Sequence, residues 1–274
     1  MSDVGVEGLT RPRPERTIFD DLPAIEVRDL EVNYRVRLDS GDLMSDLRRI
    51  VRRQPPDTRI IPALQGVSFD VQRGSVMAIV GRNGAGKSTL LQAITGVLVP
   101  EAGRIVVRGR MNLLAPGLGM NENLTGRENI RLGGLATGIE PERLLLLTDE
   151  ITEFAQLGEF IDFPMRSYSS GMRARLAAAV AVHLDPEILL IDEALTGGDA
   201  AFIEHTAEKL AQLTGEGRTI LLVTHGLSSV LTMATDALWM HQGKIAEMGE
   251  PADVINAYMR YCRLESMSLE YDDQ

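Results

Sequence analysis

Apolar residues are spaced along this chain in two alternating rhythms. Short runs at Ala24–Val27, Val67–Val71, Val76–Val80, Arg104–Val107, Ile188–Ile191, Thr219–Val223 and Ala237–Met240 have the length and composition of strands. Helical patterns separate the later runs. Leu90, Leu91 and Ile94 are spaced for one buried face, Ala177–Val182 extends a basic, Ala-rich stretch begun by Arg173 and Arg175, and Ala252–Arg263 reads as a last helical segment. This alternation predicts an α/β fold with a largely parallel sheet, and the hairpin-like strands ahead of Val76 predict an added antiparallel β subdomain. Residues 1–23 are charged, Pro-containing and aperiodic, and are expected to form a mobile tail ahead of one domain over 24–264. Residues 265–274 read as an acidic tail.

Chemistry enters where the run Val76–Val80 meets GRNGAGKST, Gly81–Thr89, which fits the pattern Gly, four residues, Gly-Lys-Ser. Gly81, Gly84 and Gly86 let the backbone curl so that N–H groups in the stretch through Asn83 and Ala85 can point at phosphate oxygens. Lys87 adds a positive charge beside the β- and γ-phosphates, Ser88 offers a hydroxyl to Mg²⁺, and the helix carrying Ser88 and Thr89 turns its positive dipole end toward the same anion. About a hundred residues later the apolar run EILLIDE closes on Asp192 and Glu193. Asp192 is placed to hold Mg²⁺ through water, because that hard cation prefers oxygen ligands. Glu193 is placed to orient or deprotonate the attacking water. The single glycine loop implies a single nucleotide site.

Composition narrows the classes. With 274 residues and 44% apolar content the chain can bury a sizeable core, and its net charge of −11 argues against a nucleic-acid partner, which normally calls for a basic excess. One cysteine, Cys262, excludes an internal disulfide and, with no signal-peptide pattern, points to the cytoplasm. The longest uncharged stretch, Thr219–Thr235, is too short and too polar to span a bilayer. His183, His205 and His241 are expected to be structural, since no His, Cys and acid cluster has transition-metal spacing.

The order of further motifs carries the reading beyond a phosphate loop. YSSGM at Tyr168–Met172 precedes the Ala-rich helix, Asp199 follows Glu193 in GGDAAF, and LLVTHG puts His225 at the end of an apolar strand. Phosphate loop, Ser-Gly signature, hhhhDE, Asp loop and strand-terminal His, in that order, resemble the ATP-binding cassette family from about Ala24 to Arg263. The resemblance implies a cassette with a helical signature subdomain and a dimer that sandwiches two ATP molecules. Ser169 and Gly171 would then contact nucleotide held by the other copy, Asp199 would lie at the same junction, and His225 would hydrogen-bond the γ-phosphate. Ser169 and Ser170 also suit a plain helix cap. Tyr34 stands where cassettes place a ring that stacks on adenine, against the alternative of an ordinary surface or core tyrosine.

Two departures sharpen the resemblance. The loop Leu113–Met120 reads LLAPGLGM and lacks the Gln by which cassettes usually reach Mg²⁺, leaving water or backbone to replace it. The signature is YSSGM rather than LSGGQ. With LTGREN at Leu124–Asn129 and IDEALTGGDAAF at Ile191–Phe202, these features resemble the cassettes of polysaccharide exporters. An insertion over 36–60 adds to this likeness: at its centre Leu43, Leu47, Ile50 and Val51 share one helical face, Arg48, Arg49, Arg52 and Arg53 gather near the end, and Pro55 and Pro56 stop it. In such cassettes a short extra helix lies near the membrane, and here its arginines would meet lipid phosphates or a substrate pyrophosphate. A solvated helix packed on its own domain is the other reading.

The resemblance therefore implies an ATPase subunit at the cytoplasmic face of the cell membrane. Its partners would be a second copy of itself and two copies of a polytopic membrane permease, and its cargo a lipid-linked polysaccharide such as a galactan or an O antigen. Teichoic-acid or capsule export is the nearest alternative, and a soluble, non-transport cassette ATPase the alternative of another class. The helix Ala252–Arg263 is followed only by an acidic tail ending at Gln274, so a C-terminal carbohydrate-binding sandwich is not expected and cargo choice would rest largely with the membrane partner.

Overall fold

The computed structural model describes residues 22–37, 58–114, 120–192, 200–224 and 226–272. Most of the expected N-terminal tail and the centre of the insertion, 38–57, lie outside the described residues. So do Glu193, Asp199, His225 and residues 115–119 of the loop that lacks Gln.

Two sheets organise the described residues. The first is antiparallel, with β1 (Ile25–Arg37) between β2 (Thr58–Val71) and β4 (Ala102–Val107). The second runs in the order β5 (Met111–Leu114), β6 (Ile188–Ile191), β7 (Thr219–Val223), β3 (Val76–Val80), β8 (Asp236–His241), β9 (Lys244–Gly249). Its pairings are parallel from β5 through β8, and β9 closes it antiparallel. Every residue of β3 and β6 is buried, which is why both read as unbroken apolar runs: a parallel strand covered on two faces has no polar side to show.

Helices cover those faces. α1 (Lys87–Ile94) is set by Leu90, Leu91 and Ile94 into a core shared with both sheets. A second core is built by α2 (Gly126–Ala136), α3 (Pro141–Ala155) and α4 (Ser170–His183), joined by the one-turn helices Gly158–Asp162 and Met165–Ser167, with α5 (Ala200–Gly215) packed against it. A third forms where α6 (Leu227–Met233) and α7 (Pro251–Asp272) lie on β8, with Trp239 meeting Tyr258 and Tyr261 at ring distances of 5.7 and 5.3 Å.

The antiparallel sheet is fastened by charge as well as by apolar contact. Arg28 makes a bidentate pair with Asp70 at 2.7 and 2.8 Å, tying β1 to β2. Glu26 on β1 accepts hydrogen bonds from Arg104 and Arg108, tying β1 to β4 and its exit. The Arg108 hydrogen bond, helped by Arg104 and Arg28, holds the Glu26 carboxyl below the usual carboxylate range.

The strand cores match the sequence reading and the ends differ. β1 and β2 are far longer than Ala24–Val27 and Val67–Val71, because their outer halves pair only with each other and carry exposed and charged residues that dilute the apolar pattern. Their register runs through to Arg37 opposite Thr58, so the flanks of the expected insertion, 36–37 and 58–60, are strand. The edge strands β5 and β9 were not expected, the first being four residues long and the second mostly exposed.

Candidate functional site

The loop Gly81–Gly86 leaves the carboxyl end of β3, the strand flanked by β7 and β8, and turns into α1. In an open parallel sheet this is where ligands bind, because strand ends and helix N-termini converge there. Gly86 lies in the left-handed region at φ 103°, and a Cβ on it would stand 2.7 Å from the Ala63 carbonyl oxygen of β2. Only glycine lets the loop press this closely on the antiparallel sheet. At the other side the Gly243 N–H donates to the Ala85 carbonyl at 3.0 Å, and the Gln65 N–H donates to the Gly243 carbonyl at 2.8 Å. The loop is thus wedged between β2 and the β8–β9 turn.

α1 begins without a side-chain cap and without an acidic residue in its first turn. Its leading N–H groups and positive dipole end face the cleft with no protein carboxylate on the helix to satisfy them, the usual preparation for an anion. Lys87 is 7% exposed, and its ammonium donates to the carbonyls of Gly81 at 2.6 Å and Arg82 at 3.1 Å. The charge is kept inside the loop by the loop's own backbone.

Tyr34, Asn83, Gly84, Gly86, Lys87, Ser88, Thr89 and Asp192 line one cleft of about 540 Å³, a volume within the range of small-molecule sites. Asp192, at the end of β6, thereby shares a space with the Ser88 hydroxyl although the two are far apart in sequence. A hydroxyl and a carboxylate are the hard oxygen donors that suit Mg²⁺. Tyr34 lies within β1, 39% exposed, its hydroxyl 3.2 Å from that of Thr89. Spacing alone did not reveal Ile61, Pro62, Ala63 and Val223, which line the same cleft. Ile61 faces Tyr34 across the β1–β2 register, a relation visible only once the strands are paired.

Ser169 and Gly171 are not among the residues lining this cleft. Ser169 caps α4, its hydroxyl accepting the Met172 N–H at 3.2 Å, so the cap role is present. What steadies the start of α4 is the preceding LTGREN segment. Tyr168 is buried, and its hydroxyl donates to the Phe160 carbonyl at 2.6 Å. The same hydroxyl would stand 2.5 Å from a Cβ on Gly126, which explains that glycine. The Asn129 amide donates to the carbonyls of Asn121 and Thr125 at 3.0 and 2.9 Å, and Thr125 with Glu128 forms a capping box. Leu124 and Glu122 carbonyls accept from the N–H groups of Met165 and Arg166.

His183 and His241 pack against aromatic rings, the first edge-on to Phe154 at 4.8 Å and the second near Tyr261 at 4.9 Å; His205 also lies by Phe154. Among the described residues no group of His, Cys, Asp and Glu could hold a metal by itself, and no helix is long and apolar enough to cross a membrane.

Comparison with known proteins agrees with the fold and the order of motifs. The ABC transporter family model matches residues 64–196. The chain is 40% identical over 245 residues to the O-antigen export system ATP-binding protein RfbB of Myxococcus xanthus, covering 87% of this chain and 56% of that protein. It is 41% identical over 209 residues to the teichoic acids export ATP-binding protein TagH of Bacillus anthracis, covering 76% of this chain and 38% of that one. To the ABC transporter protein AbcA of Aeromonas salmonicida it is 43% identical over 210 residues, which is 68% of that protein. Among solved structures, the ATP-binding subunit of an ABC transporter superposes with a TM-score of 0.68 at 23% identity, covering 86% of this chain and 93% of that one. A dimeric ATP-binding cassette bound to ADP and Pi superposes at 0.66 and 20% identity, covering 83% and 98%. From its motifs, its two-sheet fold and these relatives, the chain belongs to the ABC transporter family.

Proposed function

We propose that this chain is the ATP-hydrolysing subunit of an exporter that moves a lipid-linked polysaccharide across the cytoplasmic membrane from that membrane's inner face. The observation that carries the ATPase reading is the meeting of Lys87, Ser88 and Asp192 in one cleft at the uncapped start of α1. Support for the cargo class comes from the relatives, whose names assign them to O-antigen and teichoic-acid export, although the chain spans only 56% and 38% of two of them. A galactan or O-antigen-like cargo is the first reading. Teichoic acid is the second, favoured by the likeness to TagH.

In this mechanism the loop N–H groups and Lys87 bind the phosphates, and Tyr34 with Ile61 and Pro62 forms the shelf for the base. Ser88 and Asp192 would hold Mg²⁺, which would draw charge off the phosphate oxygens. Glu193 orients or deprotonates the attacking water, and His225 steadies the γ-phosphate. Phosphoryl transfer is accelerated mainly by such positioning and charge stabilisation. Ser169, Gly171 and Asp199 act on nucleotide bound to the other copy, so two copies work together, docked on two copies of a membrane permease.

The test is to recover the tagged chain from mildly solubilised membranes of its own host and identify by mass spectrometry the protein and glycolipid that accompany it. A polytopic membrane protein with a polyprenyl-linked glycan is expected. A soluble or ribosomal partner with no membrane subunit would overturn the export reading and leave the ATPase alone.

A further inference from the structure

The phosphate loop has a neighbour that the nucleotide chemistry does not call upon. Arg82, the second residue of the loop, is not among the residues lining the cleft, and its guanidinium pairs with Glu265 on α7. Arg82 is also the hinge of the loop's own hydrogen bonding: its carbonyl accepts the Ala85 N–H at 3.2 Å and the Lys87 ammonium at 3.1 Å. Side chain and carbonyl belong to one residue, so whatever fixes the guanidinium restricts where that carbonyl, and with it Lys87, can lie.

α7 is firmly seated where it makes this contact. Tyr258 and Tyr261, on the turns before Glu265, pack against Trp239 of β8, and Tyr261 also meets His241. The same strand backs the loop, because a Cβ on Gly81 would collide with the Met240 carbonyl. The helix therefore reaches the loop twice, through the strand behind it and through a charged contact on its outer rim.

We propose that Glu265 is a positioning residue for nucleotide binding: through Arg82 it holds the phosphate loop in the form that receives the anion. The inference rests on the reading of this cleft as the ATP site. Holding a loop in its bound shape improves affinity by removing an ordering cost from binding. Arg82 is more than half exposed and Glu265 one-third exposed, so water screens the pair and the effect is modest.

The experiment measures ATP affinity and steady-state hydrolysis for the whole chain and for Glu265→Gln, Arg82→Glu and the charge-swapped pair Arg82→Glu with Glu265→Arg. Glu265→Gln is expected to weaken ATP binding and raise KM by roughly two- to fivefold, the range an exposed ion pair supplies, with kcat within about twofold of the starting protein. The swapped pair should recover most of what Arg82→Glu loses. A purely structural helix contact would lower Tm without this split between KM and kcat and without recovery in the swap, and that result, or unchanged affinity in Glu265→Gln, would overturn the proposal. Failure of the unaltered chain to bind ATP at all would instead remove the reading of the cleft.

Discussion

Lys87 concentrates the logic of the site. Its ammonium is nearly buried and rests on the Gly81 and Arg82 carbonyls, so an arriving phosphate meets a cation already oriented and mostly stripped of water. Hydrogen bonds to charged groups contribute about 1.5–3 kcal/mol each, so Lys87→Ala should weaken ATP binding by roughly 10- to 160-fold, measured by equilibrium titration. Asp192→Asn is the complementary case. On the proposed function it should reduce hydrolysis by about 10²-fold or more while ATP still binds, since it would remove a ligand of the metal. Tyr34 offers a finer distinction, because it lines the cleft while its hydroxyl lies 3.2 Å from that of Thr89. If stacking is its role, Tyr34→Phe keeps the affinity and Tyr34→Ala loses about 2- to 12-fold, from the 0.5–1.5 kcal/mol of an aromatic contact. Equal losses in both would assign the role to the hydroxyl. The loop was legible in the sequence because its chemistry lies on consecutive residues of fixed spacing. Ile61 and Pro62 were not, because their place in the cleft follows from strand register. The guanidinium of Arg82 points out of the loop to a helix nearly two hundred residues on, a contact no local pattern encodes.

α2 and α4 show how two motifs become one piece of architecture. LTGREN and YSSGM were read as separate signatures, yet Gly126 of the first is the space into which Tyr168 of the second fits. Gly126→Ala tests this directly. Its backbone tolerates alanine, so any loss comes from the new methyl, which would stand 2.5 Å from the Tyr168 hydroxyl and 2.8 Å from Ile161. A destabilisation of about 1–3 kcal/mol is expected, seen by calorimetry as a drop of several degrees in Tm. The C-terminal end of α4 carries a pH dependence. Burial holds His183 below its ordinary value of 6.5, so the unfolded chain takes up a proton there before the folded one does. Stability contributed by neutral His183 is whole above that value and falls as the pH drops through it, until the folded protein is protonated as well. Glu26, Glu128 and Asp162, whose carboxyls are held low, lose their contributions only further into acid. The thermal midpoint should therefore decline between about pH 7 and pH 5.5 more steeply than in His183→Gln, whose profile should stay flatter until the carboxylates titrate.

At the scale of the whole chain, the proposed function divides the nucleotide site between two copies. The cleft gathers Lys87, Ser88 and Asp192, while Ser169 and Gly171 at the start of α4 lie elsewhere in the same chain. Glu193→Gln, which should bind ATP without turning it over, is expected to move the chain from monomer to dimer in light-scattering chromatography with ATP and Mg²⁺. Adding Ser169→Arg should return it to monomer. The alternation of strands and helices made the parallel sheet legible in advance, and the edges β5 and β9 escaped because short or exposed strands leave little apolar pattern. The pairing of β1 with β2 has a last consequence. The ladder that sets Tyr34 and Ile61 in the cleft wall continues unbroken to Arg37 and Thr58, three residues and about 10 Å farther out. A push or pull applied at Arg37 and Thr58 would therefore be carried along paired backbone to Tyr34 and Ile61 at the wall of the cleft.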